Sequence, residues 1–116
     1  MTTTLMHEFY RLVDSGDVPG LVDLFTPDAV YHRPGYPPVH GRSGMRHFYT
    51  HTRKIREGRH ELDAVVVSGD EVAVRGSFAG VLHDGTPAKH RFAEFFTVTA
   101  DHRISRRETF FATPLV

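Results

Sequence analysis

The 116-residue sequence has no cysteine, no excess of either charge and no long apolar run. The lack of cysteine excludes disulfides and thiolate chemistry. Fourteen basic residues balance fourteen acidic ones, and the densest basic group, Arg103, Arg106 and Arg107, is typical of a strand end rather than of a nucleic-acid site. No apolar segment approaches the roughly 20 residues that cross a bilayer. The N-terminus also lacks the basic and apolar parts of a signal peptide.

These absences predict one cytoplasmic domain over residues 1–116, with neither nucleic acid nor a membrane as its partner. The chain is long enough for one core of modest size, and 40% of its residues are hydrophobic, which suffices to fold without disulfides. We therefore expect an uncharged or modestly polar small molecule as the partner.

The first third of the chain has the periodicity of two amphipathic helices. Apolar residues fall at helical spacing from Leu5 to Val13, and Ser15-Gly16 is a typical helix stop. Asp17 is a suitable N-cap for a second, short helix that reaches Phe25. A strand is predicted over residues 29–33, and a rim loop over residues 34–41, which contain three prolines and two glycines.

A third helix is predicted from Arg42 or Ser43 to Gly58, followed by a strand over residues 61–67. Turn residues then separate three further strands between residues 71 and 111. This order favours an α+β fold, with a mostly antiparallel sheet and the three helices gathered on one side of it. If the sheet is strongly bent, the helices close a cone over its concave face. The mouth of such a cone is a natural pocket.

The most informative residue is Glu94, which lies between Phe92 and Phe96 on one face of a predicted strand. Burying a lone carboxylate costs several kcal/mol, so Glu94 must be protonated, paired or open to a cavity. Alternation also groups Arg106, Glu108 and Phe110 on the next strand, and Arg75, Ser77 and Ala79 on the preceding one. The pattern predicts a partly polar hollow inside the sheet.

Three segments resemble the SnoaL-like branch of the nuclear-transport-factor-2-like superfamily. They are MHEFYRLVDSGDVPGLVDLF, TPDAVYHRPGYPPVHGRSGMRHFY and the run from GDEVAVRGSF to ISRRETFF. The resemblance implies the cone fold and a homodimer. Superfamily members include ketosteroid isomerases, limonene-type epoxide hydrolases, polyketide cyclases, dehydratases and non-catalytic binding modules, so the fold alone does not decide function.

The resemblance to ketosteroid isomerases carries over at one of three positions. Their general-base aspartate falls at Arg33 and their phenolic donor at Phe9, whereas their second acid falls at Glu94. SnoaL-like cyclases, which close rings by an aldol step, use an acidic residue near the same position. The resemblance therefore implies that Glu94 is the acid/base.

The resemblance to limonene-type epoxide hydrolases is closer around the rim. Their tyrosine falls at Tyr31, with Arg33 in place of their asparagine. Their arginine falls at Arg75, but the aspartate that should follow is Ser77. Their third carboxylate falls at Glu108. Loss of the aspartate argues against epoxide hydrolysis, because protonation of the epoxide oxygen requires an acid there.

We accordingly predict a cofactor-independent, metal-free enzyme of the cyclase, isomerase or dehydratase type, acting on a hydrophobic oxygenated molecule such as a polyketide-like metabolite. Glu94 is the predicted acid/base, unless it only pairs with Arg33, Arg75 or Arg106. Tyr31, Arg33 and Arg75 are predicted to stabilise developing negative charge, unless Arg33 only neutralises Glu94. Glu108 either contacts substrate or pairs with Arg106. The predicted apolar wall consists of Phe25, Tyr49, Phe92, Phe96 and Phe110.

Two alternatives stay open. A binding module could use the same cone without chemistry, since two of the three isomerase positions and one epoxide-hydrolase carboxylate are replaced. A homodimer could form through an exposed apolar patch of Val66, Val74 and Phe95. His47 and His51 have the spacing of two metal ligands on a helix, but a solvated helix face explains them better.

Overall fold

The structure, a computed structural model, describes residues 1–115. Two helices come first, α1 (Thr2–Ser15) and α2 (Val18–Asp23). The strands are β1 (Phe25–His32), β2 (Val39–His40), β3 (Ile55–Ser68), β4 (Glu71–Leu82), β5 (Pro87–Val98) and β6 (Ile104–Phe111). Helix α3 (Gly41–His47) lies between β2 and β3 and continues into a π-helical turn, Phe48–Thr52.

The six strands form one sheet in the order β2-β1-β6-β5-β4-β3, antiparallel except for the parallel pair β1 and β6. Register shifts interrupt β3 after Ile55 and after Leu62. Such irregularities bend a strand and increase its twist, which curves a sheet. The predicted α+β cone is confirmed. None of the helices in residues 1–115 has the length and apolarity to span a bilayer.

Helix α1 supplies much of the core against the inner face of the sheet. Its buried face includes Phe9 and Tyr10, and the Phe9 ring lies 5.3 Å from that of Phe96 in an edge-to-face arrangement. Gly16 ends the helix in the left-handed conformation, with φ of 73°, which a residue with a side chain adopts only at a cost. Both the helix and its stop agree with the prediction.

Strand β1 begins four residues earlier than predicted. Helix α2, capped by the Asp17 carboxylate at 3.0 Å from the Gly20 amide, ends at Asp23. Phe25 then pairs with Ile104 of β6, and the Ile104 amide donates to the Leu24 carbonyl at 2.7 Å. This pairing joins residues about 80 apart in sequence, so no local pattern could indicate it. The predicted rim loop likewise contains β2.

The prediction that the third helix ends at Gly58 is wrong, because β3 already begins at Ile55. Gly58 lies inside this strand against the ring of Phe78. A Cβ at Gly58 would come within 2.2 Å of a Phe78 ring carbon and 2.9 Å of the Ala79 carbonyl oxygen. Glycine is therefore required here for close packing between β3 and β4, not for ending a helix.

A bulge in β6 reverses the predicted orientation of its second half. Thr97 pairs with Arg106, but the next residue, Val98, pairs with Ile104, so Ser105 is an extra residue. Bulges of this kind shift the alternation of side chains. As a result Ile104 and Arg107 both face the core. Glu108 and Phe110, which were predicted to face inward, face outward instead.

Candidate functional site

Glu94 lies at the centre of a buried polar cluster. Strand β5 turns Phe92, Glu94 and Phe96 inward, as predicted, and Glu94 is only 1% exposed. Oε1 accepts hydrogen bonds from the Tyr10 hydroxyl at 2.6 Å and from Arg107 Nη2 at 3.1 Å. Oε2 accepts from Arg107 Nε and from Thr109 Oγ1, both at 2.5 Å. Both carboxylate oxygens are therefore satisfied by fixed donors.

These partners keep Glu94 ionised. Burial alone would raise the pKa of Glu94, but the Arg107 charge and the donated hydrogen bonds outweigh it and hold the pKa below its ordinary value. The ion pair anticipated for Glu94 exists, but its partner is Arg107 rather than Arg33, Arg75 or Arg106. An ionised carboxylate can act as a base and not as an acid.

Arg107, which sequence reasoning assigned to a strand end, connects the two sides of the site. It is 3% exposed, and its Nη1 donates to the Tyr49 hydroxyl at 2.5 Å. Its guanidinium carbon lies 4.2 Å from the Tyr31 ring centroid and 4.8 Å from that of Phe9. Burial would lower the pKa of Arg107, but the Glu94 charge raises it well above its ordinary value.

Tyr31 and Arg33 join the cluster through a chain of hydrogen bonds. Arg33 Nη1 donates to the Tyr31 hydroxyl at 3.0 Å, and that hydroxyl lies 3.2 Å from Thr109 Oγ1. Because Thr109 donates its own hydrogen to Glu94, the Tyr31 O–H is the donor to Thr109. Burial raises the pKa of Tyr31, which keeps the phenol protonated and able to donate.

Three predicted site residues lie on the outer face of the sheet instead. Arg75 is exposed opposite Ala93, on the side of the sheet away from Glu94. Glu108 pairs with Arg106 at 3.5 Å with both side chains in solvent, and Phe110 is 47% exposed. The prediction that these residues face the hollow is wrong. For Glu108 and Phe110 the cause is the bulge at Ser105.

The predicted apolar wall divides between core and cavity. Phe25 and Phe96 are buried against Phe9 and belong to the core. Phe92 and Tyr49, in contrast, line cavities. Of the five residues predicted for the apolar wall, two therefore line a cavity beside the Glu94 cluster.

An inner cavity and an outer pocket lie next to each other beside this cluster. The inner cavity, beside Glu94, Arg107 and Thr109, has a volume of about 10 Å³, which is about the space one water molecule requires. The outer pocket has a volume of about 360 Å³ and lies between α1, α2, the π-helical turn and the start of β3. Arg53 and Ile55 line both, so the two spaces lie on either side of these residues.

Asp14 and His60 form a second polar pair that sequence reasoning missed. The Asp14 carboxylate lies 2.5 Å from His60 Nδ1 and accepts from the His60 backbone amide at 2.8 Å. Asp14 lines the outer pocket, and His60 lines the inner cavity. The two residues are 46 apart in sequence, and no local pattern links the end of α1 to the middle of β3.

The histidine pair on the third helix does not extend into a metal-binding group within residues 1–115. The rings of His47 and His51 stack at 4.9 Å between centroids. No set of three or more histidine, aspartate or glutamate side chains suited to one metal ion occurs in the described part of the chain.

Comparison with known proteins agrees with this architecture. The profile of the SnoaL-like domain matches residues 6–107. The chain is similar to the epoxide hydrolase/cyclase-like enzyme SalBIII of pyran ring formation in the polyether salinomycin. That likeness has a TM-score of 0.85 and 23% identity, over 97% of this chain and 91% of that one.

Two further solved structures are similar to this chain. An NTF2-like protein of unknown function from Burkholderia pseudomallei K96243 has a TM-score of 0.81 and 22% identity, over 96% of this chain and 90% of that one. A hypothetical protein with a ketosteroid isomerase-like fold from Catenulispora acidiphila DSM 44928, in complex with trimethylamine, is the other. It has a TM-score of 0.83 and 15% identity, over 93% of this chain and 85% of that one. At such identities the likeness shows the fold alone. Because the profile covers most of its length, the chain belongs to the SnoaL-like domain family.

Proposed function

We propose that this protein is a cofactor-independent enzyme that moves a proton on an oxygenated small molecule, in a cyclisation, isomerisation or dehydration. The observation that carries the proposal is the ionised carboxylate of Glu94 on the wall of a cavity that adjoins a larger pocket. An ionised carboxylate at a cavity wall is suited to accept a proton.

Glu94 acts as the base in this proposal. Its lowered pKa keeps the carboxylate ionised and therefore available to accept a proton, and Arg107 and Tyr10 fix its position. In this proposal a substrate in the outer pocket reaches Glu94 across the inner cavity, which is about as large as one water molecule. General bases act at hydrogen-bond distance or through one water, so this gap is compatible with proton transfer.

Tyr49 supplies the complementary donor. Its hydroxyl oxygen already accepts from Arg107, so its own hydrogen is free to be donated to a substrate oxygen in the outer pocket. Tyr31, predicted from the sequence to hold the oxygen, acts behind the cavity wall through Thr109, whereas Arg33, predicted for the same role, lines the inner cavity and donates to the Tyr31 hydroxyl. Fixed donors aimed at developing negative charge are commonly the largest catalytic contribution.

Carbon-acid exchange tests this proposal without a known substrate. Cyclic ketones and β-diketones are incubated in D2O with the protein, and loss of their α-proton signals is followed by NMR. We expect exchange above the buffer rate for wild type and a reduction of about 100-fold or more for Glu94→Gln, since general-base catalysis contributes about 10²–10⁴-fold.

Glu108→Gln is the matched control, because it removes a carboxylate from the outer face without touching the cavity. It should exchange as fast as wild type. Full exchange activity in Glu94→Gln would show that Glu94 is not the base.

The second candidate is a binding module without chemistry. The observation that favours it is that each oxygen of Glu94 already accepts two hydrogen bonds, as a purely structural ion pair would. In the same experiment a binding module would broaden or shift ligand signals without accelerating deuterium exchange.

We also propose that the protein forms a homodimer through the outer face of the sheet. Val66, Phe95 and Phe110 are 60%, 52% and 47% exposed, and the rings of Phe95 and Phe110 contact each other at 5.8 Å. Val74, which we expected in this patch, is buried in the core instead. Exposed apolar patches rimmed by charge are typical of protein interfaces.

A further inference from the structure

The charges around the inner cavity do not balance. Three guanidinium groups, from Arg33, Arg53 and Arg107, and the single carboxylate of Glu94 line it. Glu94 is committed to Arg107 by two hydrogen bonds. Neither Arg33 nor Arg53 forms a salt bridge with any carboxylate of residues 1–115. Two positive charges at this wall therefore have no carboxylate partner among residues 1–115.

The two histidines that line the cavity, His60 and His90, supply no negative charge. The Asp14 carboxylate is engaged with the His60 ring and with the His60 backbone amide. Burial, followed by the charges of Arg33 and His60, lowers the pKa of His90, so that ring is neutral. The chain as a whole has no net charge, but this cavity is positive.

Arg53 lies where a ligand in the outer pocket would contact the positively charged wall. It follows the π-helical turn, and its side chain lines both the inner cavity and the outer pocket. Its guanidinium carbon lies 5.4 Å from the Tyr49 ring centroid. Burial is the largest cause of its lowered pKa; Tyr49 opposes this shift, and the charges of Arg107 and Arg33 add to it. A partly desolvated cation beside two others is costly unless an anion compensates it.

We propose that the pocket binds a small organic carboxylate, whose carboxylate group pairs with Arg53 at the junction of the two cavities and faces Arg33. The planar guanidinium fork matches a carboxylate in two parallel hydrogen bonds. The volume of the outer pocket, about 360 Å³, suits the rest of a small organic molecule.

This assignment names the substrate class of the enzyme proposed above and rests on that proposal for its catalytic meaning. It replaces the uncharged partner that the balanced composition indicated. The reason is that composition counts charges over the whole chain, whereas burial collects three of the arginines at one wall.

Matched ligand pairs test the proposal by binding alone. Wild-type protein is titrated with phenylacetate, benzoate and hexanoate and with the corresponding primary amides, while the Nε–Hε signals of the arginine side chains are followed by NMR. We expect at least one acid to bind about tenfold or more tightly than its amide, since a hydrogen bond to a charged group contributes about 1.5–3 kcal/mol. The Arg53 and Arg33 signals should shift on binding.

Arg53→Gln should abolish this preference, and Arg53→Lys should retain part of it because the charge remains. Arg75→Gln is the control, since it removes a guanidinium from the outer face. Equal binding of acids and amides, no binding of any acid, or an unchanged preference in a folded Arg53→Gln variant would overturn the proposal. Inorganic phosphate that competes equally with the carboxylates would overturn the assignment to carboxylates.

The two proposals fail in different ways. If carboxylates bind through Arg53 but no α-proton exchange is accelerated, the ligand class stands and the enzymatic function does not. If neutral ketones exchange rapidly and carboxylates show no preference, the enzyme stands and the ligand class is wrong.

Discussion

Glu94 combines two properties that ordinarily exclude one another in a small domain: it is 1% exposed and it is charged. Four hydrogen bonds from Tyr10, Arg107 and Thr109 make this combination possible. Three side chains donate these bonds, two to each oxygen, and so fix the position of the carboxylate. Such rigidity suits a base that must meet one proton of one substrate.

The ion pair gives a prediction about stability. Arg107→Met removes the guanidinium and leaves Glu94 as an unpaired buried charge. Breaking a buried pair in this way costs about 3–5 kcal/mol. Urea denaturation, followed by far-UV circular dichroism, should show a loss of free energy of unfolding of this size.

The neighbouring Arg106 provides the control, because it lies on the outer face with 52% of its side chain exposed. Arg106→Met should change the free energy of unfolding by less than about 0.5 kcal/mol. The double variant Glu94→Leu/Arg107→Met should regain most of the loss, since no charge is left unpaired. Equal effects of Arg106→Met and Arg107→Met would contradict the structural argument.

Local alternation was sufficient to find Glu94 and insufficient to find its partner. The flanking phenylalanines lie on the same strand, so their common face follows from the period of a strand. Arg107 faces Glu94 only because the bulge at Ser105 shifts the alternation of β6 by one residue. Asp14 and His60 lie in different elements, and their contact arises only when α1 docks on β3.

At the scale of elements, the boundary between the third helix and β3 determines where the outer pocket lies. The chain leaves α3 through the π-helical turn, and Arg53 adopts an extended conformation directly afterwards. Had the helix continued to Gly58, as the sequence suggested, Arg53 and Ile55 would lie on a helix face. The early start of β3 instead places both side chains between the two cavities.

Gly58 gives a prediction at this scale. Gly58→Ala introduces a Cβ into the space of the Phe78 ring and the Ala79 carbonyl. Overpacking of this kind costs about 1–3 kcal/mol. A lower midpoint of thermal unfolding should therefore accompany the substitution, even though alanine is a better strand residue than glycine in open positions.

The same measurement on Gly58→Ala/Phe78→Leu serves as the control. The smaller side chain removes part of the clash, so the double variant should be less destabilised than the sum of its single substitutions. Strict additivity of the two effects would mean that Gly58 and Phe78 do not interact.

At the scale of the whole molecule, the sheet has two faces with different tasks. Its inner face carries the core, Glu94 and Arg107. Its outer face exposes apolar side chains on three strands, with Arg75, Arg106 and Glu108 around them. A cone uses only its concave side for a pocket, so the convex side is available for a second copy.

Phe95 tests the proposed dimer. We expect light scattering at micromolar concentration to give twice the monomer mass of 13.1 kDa for wild type. Phe95→Asp places a charge in the patch and should give the monomer mass. Thr97→Asp, on the same outer face but beside Glu71, should not separate the copies if the apolar patch is the interface. Monomeric wild-type protein would refute the proposal.

The sequence by itself determined the α+β class, the first two helices, the inward direction of Glu94 and the family resemblance. Each of these depends on periodicity, turn residues or local motifs, which neighbours in sequence fully define. Only the tertiary structure decided that Arg107 is the partner of Glu94, that Arg75 and Glu108 face outward and that three arginines meet at one cavity. These outcomes depend on one bulge and on contacts between distant elements, where a shift of one residue turns a side chain to the opposite face.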